Sequence, residues 1–390
     1  MSIKKVVYFS FLPITDFVVK KYYIENLLES SIEVEYLDLS RLFPFEGVGY
    51  EYNDKWNIVK PIDSYDTLKS YIKCQNQDTT LYLSQITYNF KFIKLFHLLH
   101  KNKCKIGALA IGMLPNSNNK NILKKLVLKN ITFNKIKSFL LNRSTNLFVL
   151  FNWIGYYSVI FKTGSVLSTF NYRNQLLDLK RSDKIFDINT TDYDYYLEIM
   201  NNPPIIHGPY ILYIDNYLPF HPDMEVYGLQ YINAESFYKH LNSFFDKIES
   251  LYGQKVVIAA HPKAEKYKKY NFFNGRTVIF NNTTLLVRDA SFLLHHASTT
   301  MGLATILNKK MYFLTSKEIE EKLPPIDSLI RFSASELGSP LIYFDSDKCE
   351  ISDYNIDYGK YERYKYMYMT SKQSEDKRNS EILIEALKNM

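Results

Sequence analysis

Apolar residues along the chain alternate between short continuous runs and longer spaced stripes. The runs "KVVYFS" (5–10), "IEVEYLDL" (32–39), "TTLYLSQI" (79–86) and "KCKIGALAIGML" (103–114) have strand length and little polar alternation. Strands buried on both faces of a parallel sheet have that pattern. Between them, "TDFVVKKYYIENLLES" (15–30) and "FKFIKLFHLLHKN" (90–102) place apolar residues at helical spacing. The first of these stripes starts beside Thr15 and Asp16, both suited to a helix N-terminus. Strand and helix in this rhythm predict an α/β parallel sheet covered on both sides.

The pattern is interrupted at "EIMNNPPIIHGPY" (198–210), where paired Asn and paired Pro disfavour both helix and central strand. A second alternating set follows: "YILYID" (210–215), "KVVIAAHP" (255–262), "RTVIFNN" (276–282), "ASFLLHH" (290–296) and "KMYFLTS" (310–316) read as strands. The stretch 233–253 reads as a helix opening at an Asn cap and closing at Gly253. The tail 376–390 reads as a C-terminal helix. A length of 390 residues also favours two cores over one. The expected division is 1–200, 205–350 and a tail segment 351–390, with no internal repeat.

Composition narrows the class. Hydrophobic residues at 46% and charged residues at 23% exclude a disordered chain. Cys74, Cys104 and Cys349 form no CxxC pair, which argues against a disulfide framework or structural zinc and fits a reducing cytoplasm. The start "MSIKKVVYFSFLP" lacks a cleavage pattern and reads as a first strand, and no apolar stretch has bilayer-spanning length. A net charge of +7 is no nucleic-acid signature at this length, and no nucleic-acid partner is expected. It suits an anionic small substrate or an anionic membrane surface. The high aromatic share, 16%, is mostly Tyr and Phe, and AT-rich coding accounts for it more readily than carbohydrate stacking does.

The stretch 118–143 carries Lys120, Lys124, Lys125, Lys129, Lys135, Lys137 and Arg143, no acidic residue, and an apolar side that includes Leu123, Leu126 and Ile136. Such a helix is a candidate for lying on anionic lipid at the inner face of the cell membrane. A surface helix packed on its own domain has the same pattern.

Three strand ends in the second half carry the chemistry. "YILYIDNYLPFHPD" ends its strand in Asp215-Asn216, with His221 in the loop. "KVVIAAHPK" ends in His261-Pro262-Lys263. "ASFLLHHASTTMGLAT" ends in His296, Ser298, Thr299 and Thr300, then opens a helix. Ligands of parallel sheets sit outside the carboxyl ends of strands, and helix starts offer unpaired N–H groups to phosphate. Each signal has a structural rival, since Ser298, Thr299 or Asp215 suits a cap or turn and His261 a satisfied loop residue. No Gly-rich phosphate loop, GxSxG elbow or zinc spacing is present. Phosphate charge is therefore expected to be met by helix ends, His and Lys, with no cofactor or metal.

The order "YIDN", "AAHPK", "HHASTT" resembles the bacterial sialyltransferases and polysialyltransferases over the second half of the chain. The resemblance implies the GT-B architecture, two Rossmann-like α/β domains facing a cleft. It implies a metal-independent, inverting glycosyltransferase that uses a CMP-activated nonulosonic acid and a glycan or glycolipid acceptor, in bacterial surface polysaccharide synthesis. Carried over, Asp215 is the base, His261 the partner of the donor phosphate, and Ser298, Thr299 and Thr300 its cradle. Pro262, Lys263 and His296 join the phosphate site by position. The family's two acids and Gly are replaced here by Asp215-Asn216-Tyr217, which makes Asp16, after the first strand, the rival base. UDP-sugar, CMP-Kdo or CDP-polyol donors on the same architecture, and a non-catalytic membrane-peripheral scaffold, remain as alternatives.

Overall fold

The computed structural model describes residues 2–43, 54–86, 89–110, 145, 147–165, 175–222, 224, 229–346 and 351–390. They divide into two compact units. Unit 1 takes the described residues up to Ala110, those from Thr145 to Thr191, and Thr370–Met390; unit 2 takes Asp192–Met369.

Unit 1 is built on β1 (Lys5–Ser10), β2 (Glu33–Asp38), β3 (Val59–Pro61), β4 (Thr80–Ser84), β5 (Lys105–Ala110), β6 (Val159–Thr163) and β7 (Lys184–Ile188), in the sheet order β3-β2-β1-β4-β5-β6-β7. Every neighbouring pair runs parallel. Along β1, Val6 and Tyr8 enter one apolar cluster and Val7 and Phe9 the other. Both faces of the strand are therefore covered, which is why its sequence is an unbroken apolar run.

The stripe 15–30 forms two helices, Asp16–Lys21 and Ile24–Glu29, rather than one. Tyr23 takes a left-handed φ of 57° between them. The Tyr8 hydroxyl donates to the Tyr22 carbonyl at 2.6 Å, and Asn379 Nδ2 donates to the Tyr23 hydroxyl at 2.8 Å. These bonds anchor the break to the sheet and to the C-terminal segment. Thr15 caps the first helix, accepting from Val18 N at 3.3 Å, as the sequence leads one to expect.

Unit 2 is built on β8 (Tyr210–Ile214), β9 (Lys255–Ala259), β10 (Val278–Ile279), β11 (Leu293–His295), β12 (Met311–Thr315) and β13 (Leu341–Tyr343), in the order β10-β9-β8-β11-β12-β13, again all parallel. The helix Ala234–Tyr252 is bounded by the two residues the sequence marks. Asn233 Oδ1 accepts from Ser236 N at 2.9 Å, and Gly253 sits at φ 63°. Both sheets are the expected α/β parallel type, and the C-terminal helix Asn379–Lys388 is present.

The division differs from a boundary at 200–205. The chain leaves unit 1 at Thr191 and returns to it at Thr370, directly after the π-helical turn Lys365–Met369, so 351–390 is shared between the units. A fully bonded polar cluster secures the return. Asn189 N donates to Asn379 Oδ1 at 2.7 Å, Thr370 Oγ1 donates to Asn189 Oδ1 at 2.6 Å, and Asn189 Nδ2 reaches the Ser374 and Lys377 carbonyls. Ile382, Leu383, Ala386 and Leu387 then bury in the cluster that holds Val6 and Tyr8.

No helix among the described residues is long and apolar enough to cross a membrane. The basic stretch 118–143 lies outside the described residues.

Candidate functional site

β9 and β11 flank β8 on either side, so the segments after these three strands emerge at one sheet edge. Adjacent strands lie about 4.8 Å apart, which sets the tips of β9 and β11 roughly 10 Å from each other. The consecutive residues Asp215 and Asn216, at the tip of β8, bond to both neighbouring loops. Asp215 Oδ2 accepts from His261 N, the bond being long at 3.5 Å, and Asn216 Nδ2 donates to the Ala297 carbonyl at 2.8 Å. The His-Pro loop and the Ser/Thr loop are thus held to a common strut.

Asp215 is buried. Its Oδ1 also accepts from Tyr217 N at 3.0 Å, in a turn where Tyr217 takes φ 54°. The Tyr267 and Tyr238 hydroxyls are 2.7 Å apart and share a hydrogen bond that either can donate. Burial pushes the Asp215 carboxyl up to about 6, against the hydrogen bonds it accepts, which pull it down. The assignment of Asp215 as base is corrected by this geometry. A base must present its carboxylate to an acceptor hydroxyl, and this one faces inward with its oxygens committed to the fold. Asp215 instead holds the Tyr217 turn and the His261 loop by their backbone N–H groups.

Tyr217, Phe220, Tyr238, Tyr267, Phe272 and Phe273 pack around that pair, some edge to face and others tilted, with Tyr238 and Phe272 centroids 4.7 Å apart. Lys266 Nζ lies 3.8 Å from the Phe220 centroid, a cation–π contact. In this unit the high aromatic content builds the support beneath the rim.

His261 is half-buried and stands on this support. Its Nδ1 accepts from Lys263 N at 3.2 Å, which leaves the ring proton on Nε2. The His221 ring meets it edge to face, with centroids 4.8 Å apart. Pro262 and Lys263 are exposed beside it.

His296 is corrected as well. It is fully buried, with Nδ1 donating to the Leu314 carbonyl at 2.8 Å and Nε2 accepting from the Tyr213 hydroxyl at 2.9 Å. Burial lowers it to about 4, and the neutral ring ties β8 to β12 rather than touching a ligand. Its neighbour His295 points to the other face of the sheet, buried against Phe313 at a centroid distance of 4.3 Å. Neither of its ring nitrogens has a hydrogen-bond partner. Burial first, and then the His296 ring, lower it to about 3.

The loop that follows is strained. Ala297 has φ 124°, a region that favours glycine and costs a side-chain-bearing residue on the order of 1–3 kcal/mol. Asn216, which holds its carbonyl, keeps a buried Oδ1 with no partner. Ser298 and Thr300 are half-buried and Thr299 is exposed. Ser298 Oγ accepts from Thr300 N at 3.2 Å, so part of its capacity goes to the start of the helix Thr300–Ile306; Thr299 makes no side-chain cap bond.

Asp16 belongs to unit 1, exposed at the start of its helix and ion-paired with Lys55 Nζ at 2.8 Å. Among the described residues no three His, Cys, Asp or Glu side chains converge as a metal would require. Asn216, His221, Tyr267 and Ala297 were not singled out as site residues in the sequence. Of these, His221 had a signal in the His-Pro-Asp segment, and Asn216 one in its place beside Asp215.

No family model matches the chain, and no curated protein matches it. Similar solved structures include a UDP-GlcNAc 2-epimerase from Methanocaldococcus jannaschii in complex with UDP-GlcNAc and UDP, at 14% identity and TM-score 0.45, covering 99% of both chains. The wall teichoic acid polymerase TagF has 13% identity and TM-score 0.43, covering 99% of this chain and 83% of that one. The calicheamicin glycosyltransferase CalG4 has 10% identity and TM-score 0.44, covering 99% and 98%. Likeness at this level settles neither donor nor reaction.

Proposed function

We propose that the chain is an inverting glycosyltransferase of GT-B type. It would move a nonulosonic, sialic-acid-like sugar from a CMP-activated donor to a glycan or glycolipid acceptor in bacterial surface polysaccharide synthesis. The observation that carries this reading is the strut Asp215-Asn216, which bonds the His261 loop on one side and the Ala297–Thr299 loop on the other. A phosphate seated at that rim meets an imidazole N–H, alcohol groups and the exposed Lys263. Strain at Ala297 beside the buried, partnerless His295 ring supports it, because proteins keep such features where function requires them.

In the reaction the acceptor oxygen forms a bond to the anomeric carbon while the bond from that carbon to the CMP phosphate oxygen breaks. The electron pair leaves with the phosphate. His261 Nε2–H and the Ser298 and Thr299 hydroxyls stabilise the charge that develops there. The acceptor proton passes to a carboxylate. With Asp215 turned inward, the acid that the sequence offers for that task is Asp16, an exposed carboxylate of unit 1 ion-paired with Lys55.

The rim groups address a phosphate and not a base, so the donor is decided by titration with CMP, CDP and UDP. Tightest binding of CMP, and hydrolysis of a CMP-nonulosonic acid lost in His261→Ala, is the expected result. Preference for UDP contradicts the donor assignment, and donor turnover unchanged in His261→Ala contradicts the site.

A further inference from the structure

Between Asp78 and Asp178 the sequence holds fourteen Lys and Arg and no Asp or Glu, in a chain with 41 acidic residues. The described part of this run belongs to unit 1 and carries an exposed apolar surface. Phe151 is 81% and Leu150 67% accessible, and Leu147, Trp153 and Phe90 are exposed beside them. They form one patch. The Phe148 ring lies 6.3 Å from that of Phe90 and 5.1 Å from that of Trp153.

The patch is joined to a basic edge by a specific contact. Trp153 Nε1 donates to His97 Nε2 at 2.9 Å, and His97 Nδ1 donates to the Trp153 carbonyl at 2.8 Å. His97 stands in the helix Ile93–Lys101, and the positions Phe90, Lys94, His97 and Lys101 follow helical spacing along one face. Lys91, Lys94 and Lys101 are exposed. The surface therefore has apolar and aromatic groups at its centre, cations at its edge and no anion anywhere in the run.

We infer that this face of unit 1 docks on an anionic lipid surface, with Leu150 and Phe151 entering the acyl boundary, Trp153 at headgroup level and the lysines on phosphate. Exposed Leu and Phe with Trp and Lys at their margin, in a run whose charges are all positive, match an interfacial anchor better than a protein interface. The inference does not depend on the identity of the sugar donor.

The test is co-sedimentation of the full chain with phosphatidylcholine vesicles and with vesicles containing phosphatidylglycerol. Binding to the anionic vesicles, about tenfold or more weaker for the double variant Leu150→Ser, Phe151→Ser and weakened by salt, is expected. Lys94→Glu with Lys101→Glu lowers binding too. Of the two tryptophans, Trp56→Phe leaves Trp153 as the fluorophore, and its emission is quenched by lipids brominated near the headgroup. Both Ser replacements are at exposed positions, so unchanged melting and unchanged nucleotide binding show the variant intact. Equal sedimentation of wild type and double variant, or no quenching of Trp153, overturns the inference. A patch that instead closes on a second copy, read as mass rising with concentration and falling in the double variant, overturns it as well.

Discussion

Asn216 Nδ2 donates to the carbonyl of Ala297 across 2.8 Å, and the residue it holds has φ 124°. The strand that brings Asn216 to the rim thereby keeps the neighbouring loop in a conformation it would not adopt alone. Ala297→Gly removes the steric cost and gives back some unfolded-chain entropy, about 0.4–1 kcal/mol against about 1–3 kcal/mol of strain. The expected outcome is a urea unfolding midpoint above wild type. A lower midpoint contradicts the strain at this position.

Asp215 separates charge from hydrogen bonding. Asp215→Ala strands the N–H groups of Tyr217 and His261, and on the order of 1–3 kcal/mol of stability is lost. Asp215→Asn keeps an acceptor. The folded carboxyl at about 6 lies above an unfolded value near 3.9, so its contribution to stability is present below about pH 4 and lost as pH rises through 6. The stability of Asp215→Asn relative to wild type therefore improves between pH 4 and 7 in urea titrations. A flat difference contradicts the buried carboxyl.

The two histidines act with the opposite sign. His295 and His296, lowered to about 3 and about 4 from an unfolded value near 6.5, contribute stability that is present above about pH 6.5 and lost as pH falls toward the folded values. His295→Leu, which removes a ring with no hydrogen bond, is expected to hold or raise stability at pH 7 and to reduce the loss between pH 7 and 5. His296→Leu leaves the Leu314 carbonyl and the Tyr213 hydroxyl unpaired and destabilises at pH 7. Thermal melts of both variants at the two pH values check this. Equal destabilisation at pH 7 contradicts the distinction between the rings.

How far these assignments were legible follows from the strands. The continuous apolar runs marked β1, β2, β4, β5, β8, β9, β11 and β12 because both faces of each sheet are covered, and Asn233 and Gly253 marked a helix by cap chemistry. The pair His295-His296 was opaque. Alternation sends adjacent residues to opposite faces, and the spelling "HH" does not reveal that both faces are sealed. Asp215 read as a base because an acid at a strand end suits one. The left-handed turn at Tyr217, which brings a backbone N–H onto that carboxylate, leaves no mark in residue type. The break at Tyr23 depends on Tyr8 and Asn379, far off in sequence, and so does the return of 370–390 to unit 1.

Asp16 as base predicts a division between binding and turnover. Asp16→Asn lowers turnover on the order of 10²–10⁴-fold and leaves CMP affinity unchanged. Steady-state rates beside a CMP titration decide this, and turnover equal to wild type removes Asp16 from the reaction.

The phosphate seat at the tips of β9 and β11 is tested most directly by calorimetric titration of CMP into wild type and into the double variant Ser298→Ala, Thr299→Val. Loss of the two hydroxyls is expected to weaken CMP about tenfold or more with the unfolding midpoint little changed. An unchanged CMP dissociation constant would contradict the seat and, with it, the proposed site of sugar transfer.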